Sequence, residues 1–111
     1  MMQFVRLIAI DSEAKLQRGT VIRLLGKVPY EAVVDFMVIE GYDPDRGMSL
    51  MVSSGYKAGL TLVSLPKDSG KFEIDINWLK ENWSHWVYPE CPVEDVWVCD
   101  GYPVPTELPS T

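Results

Sequence analysis

The sequence predicts an α+β fold, a mainly antiparallel twisted sheet of about five strands with one principal helix at about residues 75–87 packed on it. Three observations carry that prediction. Five short runs rich in β-branched, aliphatic and aromatic residues are each bounded by Gly, Pro, Asp or Ser, the punctuation of strands. Two of these runs flank Ser54-Gly55-Tyr56-Lys57-Ala58-Gly59, a connection short enough to join only an antiparallel pair. One segment carries a sustained helical stripe: Ile76, Leu79, Trp83 and Trp86 recur at i, i+3, i+7 and i+10.

Taken in order, Phe4, Val5, Leu7, Ile8 and Ile10 fit a short amphipathic helix about as well as a strand, and the helix is favoured. Gly19 opens a β-branched strand at 20–25, which Gly26 and Pro29 close. Between Glu31 and Glu40 lies the longest apolar stretch, interrupted only by Asp35. Such continuity predicts the central strand, covered on both faces for part of its length. Residues 41–47 are a loop of turn-favouring types. Met48, Leu50 and Val52 then alternate with Ser49, Met51 and Ser53, and Leu60, Leu62 and Ser64 alternate with Thr61, Val63 and Leu65. The two runs form a hairpin whose glycines can take positive φ, and residues 66–70 follow as a polar loop.

Asp75 is placed to cap the helix by accepting from an amide of its first turn. Pro89 pushes Tyr88 out of the α region and stops it. Residues 93–99 predict a last strand, with Val96 and Val98 on one face and Val93, Trp97 and Cys99 on the other. Pro103, Pro105 and Pro109 then preclude regular pairing, so residues 1–102 are expected to form a single domain and 103–111 a Pro-rich tail.

Charge is distributed unevenly. Residues 1–80 hold ten acidic and ten basic side chains, whereas residues 81–111 hold six acids and no Lys or Arg, so the last segment supplies the whole net charge of −6. Trp83, Trp86, Tyr88, Trp97 and Tyr102 are interleaved with those acids. A negative field steers a cationic partner and aromatic residues anchor it, although the same composition also serves a core and solubility. Scattered bases argue against a nucleic-acid or anionic-membrane surface. No apolar run approaches the roughly 18 residues of a spanning helix, and the start lacks the pattern of a secretory signal, so a cytoplasmic location is expected. With 93–99 extended, Cys91 and Cys99 stand about 20 Å apart, beyond the roughly 7 Å reach of a disulfide, and free thiols are expected.

Signals for catalysis are sparse. His85 is the sole histidine, and its neighbour Ser84 diverges from it by about 100° on a helix. Two cysteines and one histidine never fall at metal-ligand spacings. Asp43-Pro44-Asp45 lacks the register of a calcium loop, and Gly55–Gly59 lacks the strand-to-helix context of a phosphate loop. No catalytic residue, metal or cofactor is expected.

Pro29-Tyr30-Glu31-Ala32, Ser54-Gly55-Tyr56-Lys57-Ala58-Gly59, and Trp78-Leu79-x-x-Asn82-Trp83-x-x-Trp86-Val87-Tyr88-Pro89 running into Val93-Glu94-Asp95-Val96 together resemble a family of small bacterial immunity proteins, the one numbered forty-five. The likeness covers roughly residues 19–102. It implies an α+β, non-enzymatic protein that binds and blocks one cognate toxin domain, often a nuclease, of a polymorphic or contact-dependent-inhibition system. It transfers no toxin identity.

Eight residues are candidates for partner contact. Glu90, Glu94, Asp95, Asp100 and Glu81 would pair with the bases of a cationic toxin and occlude its active site; Trp78, Tyr56 and Tyr102 would clamp an exosite. Trp78 lies about 100° round the helix from Leu79, so it is either covered by a loop or exposed for a partner. A monomer with no cofactor, nucleic acid or membrane is expected. Two other classes stay open: a small enzyme using Glu31 or Glu40 with Tyr30 or Tyr56, which needs a carboxylate of raised pKa in a pocket, and a self-associating adaptor.

Overall fold

A computed structural model of the chain describes residues 2–110. Its strands are β1 (Val5–Arg6), β2 (Lys15–Leu16), β3 (Val21–Leu25), β4 (Val33–Ile39), β5 (Arg46–Val52), β6 (Thr61–Pro66), β7 (Ile74–Asp75) and β8 (Trp97–Cys99), with helix α1 (Ile76–Asn82) between β7 and β8. Six strands form one sheet in the order β1-β8-β3-β4-β5-β6, every neighbouring pair antiparallel, and β2 pairs with β7 in a separate small ladder. The α+β class, the hairpin of β5 and β6 and the interior position of β4 are as predicted. The last strand is inserted between β1 and β3, an order the sequence pattern left undetermined.

One face of the sheet makes the core. Ile22 and Leu24 of β3, Val34, Phe36 and Val38 of β4, and Leu50 and Val52 of β5 are buried beneath Ile76, Leu79 and Trp83. Burying each of these side chains is worth roughly 1.5–3 kcal/mol, which is why strand alternation and helical stripe must meet on this face. The Asp75 carboxylate accepts from the Trp78 amide at 3.1 Å, capping α1 as expected. Lys15 also binds that carboxylate at 2.9 Å, which ties the small ladder to the helix start.

Four expectations are corrected. Residues 4–10 are not an amphipathic helix: Val5 and Arg6 pair with Val98 and Trp97, and only Leu7–Ala9 make a single 3-10 turn, with Leu7 buried and its amide bonded to the Val96 carbonyl at 2.8 Å. The sheet therefore gains a sixth strand. Residues 93–99 are not one strand either, because Val93–Asp95 close a 3-10 turn after Pro92 and only Trp97–Cys99 are paired. On the helix, Val87 rather than Trp86 reaches the core. After Asn82 the coil widens to a π-turn, Trp83–Val87, with the Tyr88 amide bonded five residues back to the Trp83 carbonyl at 3.1 Å. One extra residue per turn shifts the inward position by one, so Val87 is buried and Trp86 half-buried. Finally, β5 begins at Arg46, and the loop before it is shorter than predicted.

Cys91 and Cys99 are buried free thiols, as expected. Residues 103–110 are exposed and carry no regular element.

Candidate functional site

Two of the resemblance motifs meet at the loop end of the sheet. The Glu31 carboxylate, from the β3–β4 connection, accepts from the Tyr56 amide in the β5–β6 connection at 2.9 Å, and the Tyr56 hydroxyl donates to the Pro29 carbonyl. Gly55 lies directly under that carboxylate with φ +72°, and a Cβ there would sit 2.3 Å from a Glu31 oxygen. Only glycine satisfies both demands. The Tyr56 amide and Glu31's own amide hold the Glu31 carboxyl below its ordinary pKa. Next to this clasp, Tyr30 packs edge-on against Phe36 and Tyr88, and the Tyr88 hydroxyl accepts from the Lys27 amide at 2.8 Å. This end of the molecule is a lock between loops, in which one Glu31 oxygen accepts from Tyr56 and the other is buried without a partner among the described residues.

The sheet face opposite the core is built differently. Register places Trp97 beside Arg23 and Arg23 beside Asp35, so the three side chains stand in a row across β8, β3 and β4. Arg23 forks onto Asp35 with bonds of 2.7 and 2.9 Å, and the Tyr102 hydroxyl, reaching back from beyond β8, donates to the same carboxylate at 2.7 Å. The Ser53 hydroxyl completes the chain at 2.9 Å from Tyr102. Burial pushes the Asp35 carboxyl up, but the Arg23 and Tyr102 bonds outweigh it and hold the pKa below the ordinary value. Burial and the neighbouring Asp35 charge raise the Tyr102 phenol.

Beside that row, Leu25 pairs with Val33 and both stay exposed, at 64% and 50%. With Trp97, 37% exposed, they line a cleft of about 420 Å³ whose lip carries Asp95. Arg6 lies 4.6 Å from the Trp97 ring centre, donates to the Glu94 carbonyl at 2.7 Å and stands 3.6 Å from Asp95. A Trp, a Tyr and an Arg around an open aliphatic pair is the composition of an interface hot spot.

The candidate residues from sequence are thereby divided among several places. Asp95 lies at the cleft's lip, Glu94 is exposed one residue before it with its carbonyl bonded to Arg6, and Tyr102 ends the polar row. Asp100 follows β8 at its other end from Asp95 and lines a separate hollow of about 500 Å³. Glu81 is exposed on α1, on the core side of the sheet, and Glu90 is exposed in the turn after the helix. Tyr56 is open at its ring, with its hydroxyl engaged in the loop clasp. Trp78 is half-buried and packs against the core, with the Trp86 ring at 6.0 Å between ring centres. The five carboxylates do not form one central patch.

Groups that sequence reasoning left out are Arg23, Leu25 and Val33 as surface features, and the Arg23–Asp35 pair, whereas Trp97 was named among the aromatic residues of the acidic segment. A signal for that pair was present: single opposite charges interrupt two apolar runs that neighbour each other. Among the described residues, no group of three or more His, Cys, Asp or Glu is placed to hold a metal, and no helix is long and apolar enough to cross a membrane.

The family model described as Immunity protein 45 matches residues 7–98, from the 3-10 turn after β1 into β8. The chain belongs to the immunity protein 45 family. No curated protein and no solved structure matches it. Immunity proteins neutralise a toxin, and family membership gives this chain that class of role and a toxin as its partner. The match takes in the loop clasp, the π-turn and the strands that carry the exposed row, and it stops short of Tyr102.

Proposed function

We propose that this immunity protein acts without catalysis, by stoichiometric binding to one toxin domain in the cytoplasm of the bacterium that makes both. The observation that carries this reading is the family match across residues 7–98. The carboxylate-enzyme alternative loses support at Glu31, whose carboxyl is shifted down by the Tyr56 amide, opposite to the shift a proton donor near neutrality needs. Glu40 is exposed and paired with Arg18 at 3.2 Å.

Within the binding reading, the separation of Asp95 from Asp100 and Glu81 favours division of labour over a single acidic plug. The net negative charge and the carboxylates Glu81, Glu90, Glu94, Asp95 and Asp100 speed the encounter with a basic toxin such as a nuclease, and open aromatic and aliphatic side chains hold it. Trp78, Tyr56 and Tyr102 remain contact candidates on that basis. The binding unit is residues 1–102, with Tyr102 as its last anchored side chain.

Co-expression tests the function. Cells carrying the toxin encoded beside this gene are expected to grow when the protein is present and die when it is not. Equal killing in both strains would remove the assignment.

A further inference from the structure

Resting on the toxin-binding reading, we infer that the toxin docks on the sheet face opposite the core, at the cleft between Leu25, Val33 and Trp97. Its occupant there is an apolar side chain of the toxin flanked by a lysine or arginine. Leu25 and Val33 form a cross-strand pair that leaves half or more of each side chain in water, although burying each would stabilise by roughly 1.5–3 kcal/mol. Trp97 forms the third wall, and its orientation is fixed by pairing with Arg23 and stacking under Arg6. Rigid walls of this kind lose little side-chain entropy on binding.

The lip of the cleft selects the occupant's charge. Arg23 is neutralised by Asp35 and Arg6 pairs with Asp95 at the lip, so the uncompensated negative charge next to the cleft is that of Glu94, exposed one residue before Asp95. Arg6 takes Asp95 and the Glu94 carbonyl, and the Glu94 carboxylate has no ion pair among the described residues. A basic residue flanking the inserted apolar group would meet Asp95 at the lip and the exposed Glu94 beside it in the chain. A second copy of the chain is disfavoured as occupant, because each copy carries a net charge of −6.

The same face contains what a docking platform needs to stay in shape. Arg23, stacked 4.4 Å from the Phe4 ring centre, fixes the row from below, and Tyr102 closes it on the far side. Neither requires the toxin to be present.

The test measures binding and protection against the purified toxin domain encoded beside the gene. Wild-type protein must first bind and protect; if it does neither, the toxin-binding reading falls, and this inference with it. Given wild-type binding, Leu25→Glu and Val33→Glu, each at an exposed position, are expected to weaken affinity at least 100-fold while the thermal transition stays unchanged. Glu94→Gln is expected to slow association several-fold at low salt and leave dissociation nearly unaltered. Glu13→Gln, at an exposed position outside the cleft's lining, serves as the control and should leave the dissociation rate unaltered. Wild-type affinity in both Leu25→Glu and Val33→Glu would overturn the assignment of this face. So would a concentration-dependent dimer, seen by sedimentation, that Leu25→Glu dissolves without affecting toxin binding.

Discussion

The two faces of the sheet follow different rules although they share the same strands. On the core face, Ile22, Val34, Phe36, Val38 and Leu50 are fully buried against Ile76, Leu79 and Trp83, and each position is set by alternation along a strand or by helical period. On the other face, the same strands present Arg23, Asp35, Leu25, Val33 and Trp97, of which only Asp35 is buried. There a latch of hydrogen bonds holds the row and an aliphatic pair is left open. The contrast separates what the fold needs from what it offers: the first face explains stability, and the second has exposed surface that stability does not explain.

Several substitutions can break or sharpen this contrast. Trp83→Ala should have the largest effect on folding, about 3–5 kcal/mol by chemical denaturation, because it empties the core and leaves the Cys91 carbonyl without its indole donor at 3.0 Å. Loss of less than about 1 kcal/mol would show that the helix contributes little to the core. Asp35→Ala should cost about 2–4 kcal/mol, below the usual figure for a fully buried pair because Arg23 is 38% exposed. It would also release Tyr102, read as a phenol titrating closer to its ordinary pKa.

Acid should weaken the same latch. The folded pKa of Asp35 lies below its unfolded value of about 3.9, so its contribution is complete above that pH and is lost as pH falls through the folded value. Denaturation midpoints measured between neutral pH and pH 2 should show the wild type losing more stability below about pH 4 than Asp35→Asn does. Parallel curves would remove the latch from the account.

Gly55→Ala should cost about 1–2 kcal/mol, since the new Cβ meets both a positive φ and the Glu31 carboxylate. The smallest effect belongs to the tail: a chain ending at residue 103 should match full-length stability within about 0.5 kcal/mol, because residues 103–110 are exposed and lack regular structure. A larger loss would move the boundary of the folded unit beyond Tyr102.

The parts of this fold that were legible in the sequence are those with a long period. β3 to β6 and the helix were readable because Leu50 and Val52, or Ile76, Leu79 and Trp83, repeat over enough residues to distinguish a period of 2 from 3.6. β1, β2 and β7 are two-residue ladders, too short to have a period, and exist because a partner strand is nearby. Trp86 was misplaced because a π-turn changes the period within one helix, and nothing in Trp83-Ser84-His85-Trp86 announces it. The exposed row was only partly legible. Tyr102, Glu94 and Asp95 stood out by composition, whereas Leu25 and Val33 look like ordinary strand ends until pairing shows that no element covers them.

Amide hydrogen exchange on the protein alone and in complex with its toxin domain tests the division between the faces most directly. Slowed exchange on binding is expected at residues 24–33 and 94–98, with residues 76–87 unchanged because they are already protected by the core. Protection appearing instead along the outer side of the helix, around Trp78 and Glu81, with residues 24–33 unaffected, would contradict it.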